Sequence, residues 1–121
     1  IIPGINDAEI DDLVSAVSRA GARHITSSTY KARPGGLKRI VNAFPEQGAA
    51  LQRLFAGGEM MAGSLYLPAE LRMDLMERIA ASAELEGLTF SSCREGSEPA
   101  PGINCDGSHL LPSQGKTKPE E

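Results

Sequence analysis

A pair of β-branched residues, then a proline and a glycine, open the chain: Ile1-Ile2-Pro3-Gly4-Ile5-Asn6-Asp7 runs straight into a helical pattern. Ile1 and Ile2 read as the last rungs of a buried strand, and Pro3-Gly4 stops the ladder and turns the backbone. Asn6 is placed to cap a helix whose third position is Glu9. Ile10, Leu13, Val14 and Val17 then fall at i, i+3, i+4 and i+7, with Asp11, Asp12, Ser15 and Arg19 on the other side. Gly21 ends this amphipathic helix. Residues 22–30 carry β-branched side chains and no breaker, so they read as a strand. Strand, helix, strand in that order is a βαβ unit, and the crossover length implies parallel pairing with a right-handed connection. The carboxyl ends of such strands are where α/β proteins bind ligands. A backbone without a Cβ at Gly4 admits close approach, and the following helix offers unpaired N–H groups. A plain connection is the competing reading of the same residues.

The rest of the chain continues the alternation. Lys31-Ala32-Arg33-Pro34-Gly35-Gly36 is a turn-rich loop with two cations at the carboxyl end of the second strand. Leu37, Ile40, Val41 and Phe44 make one helical face before Pro45 interrupts it. A shorter helix follows over 46–56, ended by Gly57-Gly58. Leu65-Tyr66-Leu67 reads as an extended lead-in to a helix that starts at Pro68 and carries Leu71, Leu75, Met76, Ile79 and Ala83 on one face as far as Gly87. Met73 and Met76 on this helix read as core filler rather than soft ligands. Residues 88–92 read as a third strand leading into Cys93. From 94 to 104 the composition is Gly, Pro, Ser and Glu, which cannot order itself by burial. Residues 112–121 form a polar tail with no apolar anchor, expected to be disordered.

A chain of 121 residues is one domain or part of one. It opens on Ile1, mid-strand in character, and the expectation is the carboxyl-terminal part of a longer protein, with the amino-terminal part as its first partner. The net charge of −4 does not indicate a globally nucleic-acid-seeking protein, although the basic run over 23–39 leaves local contact with nucleic acid open. No apolar run approaches the ~20 residues needed to cross a bilayer, so no membrane span is expected and the cytoplasm is the default compartment. Two cysteines, Cys93 and Cys105, cannot build the dense disulfide framework of a small secreted domain.

Cys93, Cys105 and His109 are the candidate metal ligands. Thiolate and imidazole bind zinc or iron, and Cys105 and His109 are four apart across a Gly turn. A mononuclear site or cluster normally wants four donors, so His24 or Asp106 would have to join. A disulfide between the two cysteines, or two free thiols, is the alternative. The string Cys105-Asp106-Gly107-Ser108-His109 is identical to the central motif of the CDGSH iron–sulfur proteins. Those proteins also use an upstream Cys-x-Cys pair, whereas here Ser91 stands two before Cys93, and the match is read as coincidence. Lys31, Arg33, Lys38 and Arg39 are candidates for holding a carboxylate or phosphate at the strand-end face, against a reading as ordinary solvated cations. No Gly-x-Ser-x-Gly elbow and no phosphate-binding glycine loop occurs. His24 reads as a packed or capping histidine.

Residues 1–33 are also similar to a known arrangement. Ile-Pro-Gly-Ile-Asn-Asp, an acidic amphipathic helix, then Ala-Gly-Ala-Arg and a strand resemble the fifth strand, fifth helix and sixth strand of radical S-adenosylmethionine enzymes. The branch containing spore photoproduct lyase and DNA-repair-photolyase-like proteins is the nearest. In that superfamily a Gly-x-Ile-x-Gly-x-x-Glu pattern lies beside the cofactor's adenine; Ile2, Gly4 and Asp7 fall on its Ile, Gly and Glu positions, with Asp replacing Glu.

The resemblance implies an α/β fold, the carboxyl-terminal portion of a partial (β/α) TIM-like barrel with parallel strands. Residues 1–45 would be its last βαβ portion. Residues 46–111 would be a helical extension with the final strand and the Cys/His loop as a lid. Ile2, Gly4, Asp7, Lys31 and Arg33 would be the cofactor-side contacts. The implied cofactors are S-adenosylmethionine and a 4Fe-4S cluster. No Cys-x3-Cys-x2-Cys triplet occurs in this chain, so the cluster ligands are assigned to the amino-terminal part and these residues alone are expected to be inactive. The implied chemistry is one-electron reductive cleavage of the cofactor to a 5′-deoxyadenosyl radical that abstracts hydrogen from an unidentified substrate. The rival expectation is a small metal- or iron–sulfur-binding module, for electron transfer or structure, built on Cys93, Cys105 and His109.

Overall fold

In the computed structural model, which describes residues 1–112, the alternation of strand-like and helix-like stretches produces a mixed α/β fold around a small parallel sheet. Strand β1 (His24–Ser27) pairs in parallel with β4 (Thr89–Ser92), setting His24 opposite Thr89 and Ser27 opposite Ser92. Its other edge meets the start of the chain: Tyr30 N–H donates to the Ile1 carbonyl at 3.0 Å, and the Ile1 amino group donates to the Ser28 carbonyl at 2.9 Å. Two bonds flanking Thr29 in this way are the pattern of a parallel bridge, so Ile1 runs parallel to the segment that continues β1 beyond Ser27. The expected first strand is thus present as a single rung. No closed barrel forms among the described residues.

Helix α1 (Ile10–Arg19) buries Ile10 and Val14 and leaves Asp11 and Asp12 in solvent, the division its apolar spacing requires. Between β1 and the next strand, Gly36–Ala43 forms α2 and Pro45–Ala56 forms α3. Pro45 ends the first and begins the second, because its ring lacks the N–H that α2 would need and suits a first helical position. Helix α4 (Ala69–Leu85) buries Leu75, Met76, Ile79 and Ala83, and packs against both strands of the sheet and against α1. Leu51, Phe55 and Leu67 complete the core. Fully burying a Leu, Ile or Phe side chain contributes about 1.5–3 kcal/mol, so these few positions carry most of the apolar stabilisation.

A hairpin takes the place of the expected extended lead-in. Strand β2 (Glu59–Met61) pairs antiparallel with β3 (Ser64–Tyr66), turning through Ala62 and Gly63, both at positive φ, as a two-residue hairpin turn requires. Ala32 bonds reciprocally to Leu65, N to O at 2.9 and 2.7 Å, which ties the hairpin to the loop after β1. Three-residue strands in which Met60 is exposed give no alternating signal. Gly58 sets the hairpin against the end of α3, since a Cβ there would stand 1.7 Å from the Tyr66 carbonyl oxygen.

Two local expectations are corrected. Asn6 does not cap the helix from its side chain: Asn6 Oδ1 accepts the Ile2 N–H at 2.7 Å, and Asp7 Oδ1 accepts the Gly4 N–H at 2.8 Å. A 3-10 turn, Asp7–Glu9, separates Asn6 from α1, so both side chains satisfy the preceding turn instead. The strand expected over 22–30 is ordered against β4 only as His24–Ser27, because after Ser27 the backbone crosses to Ile1 and Glu95. Of the tail expected to be disordered, residues 113–121 lie outside the described residues. No described helix is long and apolar enough to cross a membrane.

Candidate functional site

The carboxyl ends of Ile1-Ile2, β1 and β4 gather three loops, which carry the carboxylate Glu95 and the cation Lys31, and a second cation, Arg72, reaches them from α4. Glu95, on the loop after β4, enters a set of donors drawn from the other elements. Its Oε1 accepts the Thr29 N–H at 2.7 Å, the Thr29 hydroxyl at 2.8 Å and the Lys31 ammonium, while Oε2 accepts Arg72 Nη1 at 3.2 Å. The Glu95 side chain is 2 % exposed, and those of Lys31 and Arg72 are 6 % and 9 %. The Tyr66 ring lies beneath both cations, 5.1 Å from Lys31 Nζ and 5.3 Å from Arg72 Cζ. Burial pushes the Glu95 carboxyl up, but the hydrogen bonds from Lys31 and from the Thr29 backbone and hydroxyl outweigh it and hold the group below the ordinary carboxylate range. Two buried cations against one carboxylate leave one positive charge in excess.

Beside this cluster a depression of 410 Å³ opens between the loop after Ile1-Ile2 and the loop after β1, lined by Ile2, Asn6, Ser28, Thr29, Lys31 and Arg94. Ligand clefts occupy roughly 300–1,000 Å³, so the space takes a small molecule or one end of a larger one. Ile2 and Tyr30 are apolar members of the lining, and Ser28 and Asn6 are polar ones.

A second polar cluster lies on one face of the sheet. Side chains alternate along a strand, so His24 and Thr26 of β1 and Thr89 and Ser91 of β4 share a face, while Ile25 and Phe90 turn to the core. The loop over 104–109 lies on this polar face. Asn104 N–H donates to His109 Nδ1 at 2.9 Å, which leaves the ring hydrogen on Nε2, 2.9 Å from Thr89 Oγ1. The Thr89 hydroxyl then donates to His24 Nδ1 at 2.7 Å, and the His24 Nε2–H faces Thr26 Oγ1, Ser91 Oγ and the Cys105 carbonyl at 3.1, 3.2 and 3.3 Å. Thr26 Oγ1 also donates to the Cys105 carbonyl. The two imidazoles meet edge to face with centroids 4.8 Å apart. Ser108 N–H closes the turn on Asp106 Oδ1 at 2.9 Å, and the Ser108 backbone and hydroxyl hold the Asp106 carboxyl below its ordinary range.

These positions sort the expected site residues. Ile2 and Lys31 share the 410 Å³ depression. Gly4 and Asp7 share the turn that follows, where Gly4 takes φ +77° with open space at its Cβ position and Asp7 also pairs with Arg78 at 3.7 Å. Arg33 lies apart from them, with Lys38 in a separate hollow between α2 and the hairpin. Cys93 and Cys105 are both exposed and free, and both ring nitrogens of His109 are hydrogen-bonded within the fold. Among the described residues no three His, Cys, Asp or Glu side chains converge on a point that could hold a metal ion.

Glu95, Thr29 and Arg72 are not legible as a site, because they stand far apart in sequence and meet only through the sheet. The polar sheet face has a sequence signal in its period of two, with polar residues at 24, 26, 89 and 91 inside strand-like stretches. No protein-family model matches the chain, and neither the curated proteins nor the solved structures provide a match.

Proposed function

We propose that these residues are the carboxyl-terminal part of a radical S-adenosylmethionine enzyme, in which the ends of the parallel strands form the adenine-side wall of the cofactor cleft. The supporting observation is the parallel seating of Ile1 against the backbone at 28–30. It sets the loop carrying Gly4 and the loop carrying Lys31 on either side of one depression, at the end of a parallel sheet where ligands bind. The donor set suits a nucleoside. Ile2 offers an apolar surface for a purine face, and the Asn6 amide and Ser28 hydroxyl can pair with ring nitrogens or a ribose hydroxyl. Gly4 leaves its surroundings open, although its N–H is held by Asp7, so its part is room rather than a hydrogen bond. When bound, the cofactor supplies one-electron hydrogen-abstraction chemistry with a 4Fe-4S cluster whose ligands would lie outside this chain.

The edge of β1 below Ile1 supports a partial barrel. Here Ile1, Ile10, Leu13, Val17, Ile25 and Ile79 line an apolar hollow of 350 Å³, and Leu13 is half exposed. Among the described residues β1 pairs along its length with β4 alone, so this edge of His24 and Thr26 is open to a further parallel strand. The opposite, polar sheet face would then line the barrel interior, with the Cys105 loop laid across it.

The full-length protein provides the test. Its upstream sequence should contain Cys-x3-Cys-x2-Cys, and S-adenosylmethionine should bind with an affinity at least tenfold lower in Ile2→Asp by equilibrium dialysis. A complete upstream sequence without the triplet removes the enzyme assignment.

A further inference from the structure

We propose that Thr29, Lys31 and Arg72 form a carboxylate-binding site that Glu95 fills from within the chain, and that a small-molecule carboxylate can take the place of Glu95. Glu95 is a carboxylate held as a ligand is held: both oxygens are bonded, the donors come from the segment after β1 and from α4, and none belongs to its own loop. Without Glu95 the four donors would carry two buried positive charges and no anion, an arrangement that strongly favours binding one. Even with Glu95 in place the buried charge is unbalanced by one.

The loop that delivers Glu95 is bent to do so. Arg94 has φ +56° and Gly96 has φ +84°, so the residues on both sides are left-handed, and for Arg94 that conformation is strained. Between β4 and Ser108 no helix or strand holds this loop. Near the cluster it is attached through Glu95, whose backbone carbonyl also accepts Arg72 Nη1 at 3.4 Å, through the Cys93 N–H donating to the Ser27 carbonyl at 2.9 Å, and through a bond between the Ser92 and Ser97 hydroxyls at 2.9 Å. Release therefore gives up the Glu95 bonds and relieves strain at Arg94. A route to the site exists, because Thr29, Lys31 and Arg94 also line the 410 Å³ depression. A carboxylate entering there meets Lys31 first, and the rest of its molecule lies against Ile2 and Asn6. The site takes one carboxylate group on a small organic body, and it is independent of the cofactor assignment.

Glu95→Ala in the full chain should melt about 10 °C or more lower than the unaltered protein. Sodium acetate or formate should restore much of that loss in a saturable way, while sodium chloride at equal ionic strength should not. Equal responses to acetate and chloride would overturn the site. The unaltered protein supplies an independent reading should Glu95→Ala not fold. Acetate should increase the rate of tryptic cleavage after Arg94 at least threefold over chloride, and an unchanged rate would overturn displacement of Glu95.

Discussion

The irregular segment after β4 is held at two places by opposite chemistry. At Glu95 a buried carboxylate meets two cations and a backbone N–H, with all three charged side chains under a tenth exposed. At His109 a chain of neutral groups runs from Asn104 through His109, Thr89 and His24 to the Cys105 carbonyl, in a part-exposed setting. Both anchor backbone whose composition provides too few apolar side chains to anchor itself. The difference teaches what each anchor tolerates. A neutral chain near water can lose a link and have water replace it. A buried ion cluster that loses one member leaves uncompensated charge on side chains that are under a tenth exposed.

The largest effect should therefore come from Glu95→Ala, with a loss of about 3–5 kcal/mol of unfolding free energy in urea, the range for removing one partner of a buried ion pair. A loss below about 1 kcal/mol would make the two anchors equivalent and break the comparison. The acid limb separates them next. Because the folded-state carboxyl of Glu95 lies below the ordinary value of 4.5, its contribution is fully present above that pH and disappears as the pH falls through the lowered folded value. The stability of Glu95→Gln should accordingly fall less steeply than that of the unaltered protein below pH 4.5, and parallel curves would count against the ionic reading of this anchor.

Thr89→Val cuts the neutral chain at its middle, removing the hydroxyl that joins His109 to His24. The expected loss is about 1–2 kcal/mol, with amide exchange rising over 104–110 and unchanged at Thr29. Exchange rising equally at both places would show one cooperative unit instead of two anchors. The smallest effect belongs to Cys105→Ser. The thiol is exposed and the residue is held through its carbonyl, so stability should change by no more than about 0.5 kcal/mol. A larger loss, accompanied by release of zinc or iron, would instead mark the thiol as a ligand.

Much of the architecture was legible in local pattern. The spacing of Ile10, Leu13, Val14 and Val17, the Pro45 interruption and the run from Leu71 to Ala83 each specify a helix that forms, and the β-branched stretch around Ile25 specifies the first strand of the parallel sheet. The hairpin at residues 59–66 was not legible, since its strands are too short to show a period and it depends on Ala32 pairing with Leu65. The capping role expected of Asn6 failed because a side-chain oxygen had a closer donor, the Ile2 N–H, once the Pro3-Gly4 turn folded back.

For the site the division is sharper. Amino-acid order alone determined which side chains point the same way, because period in sequence is direction in space: it set the polar face of His24, Thr26, Thr89 and Ser91, and the core faces of α1 and α4. It also put Lys31 at a strand's carboxyl end. Tertiary structure alone decided that Lys31 meets Glu95, that Arg72 joins them from α4, and that Arg33 stands in a different hollow. Those are meetings between residues far apart along the chain, or partings of near neighbours. Electrostatic attraction carries no period, and only the packed sheet brings such groups within its reach.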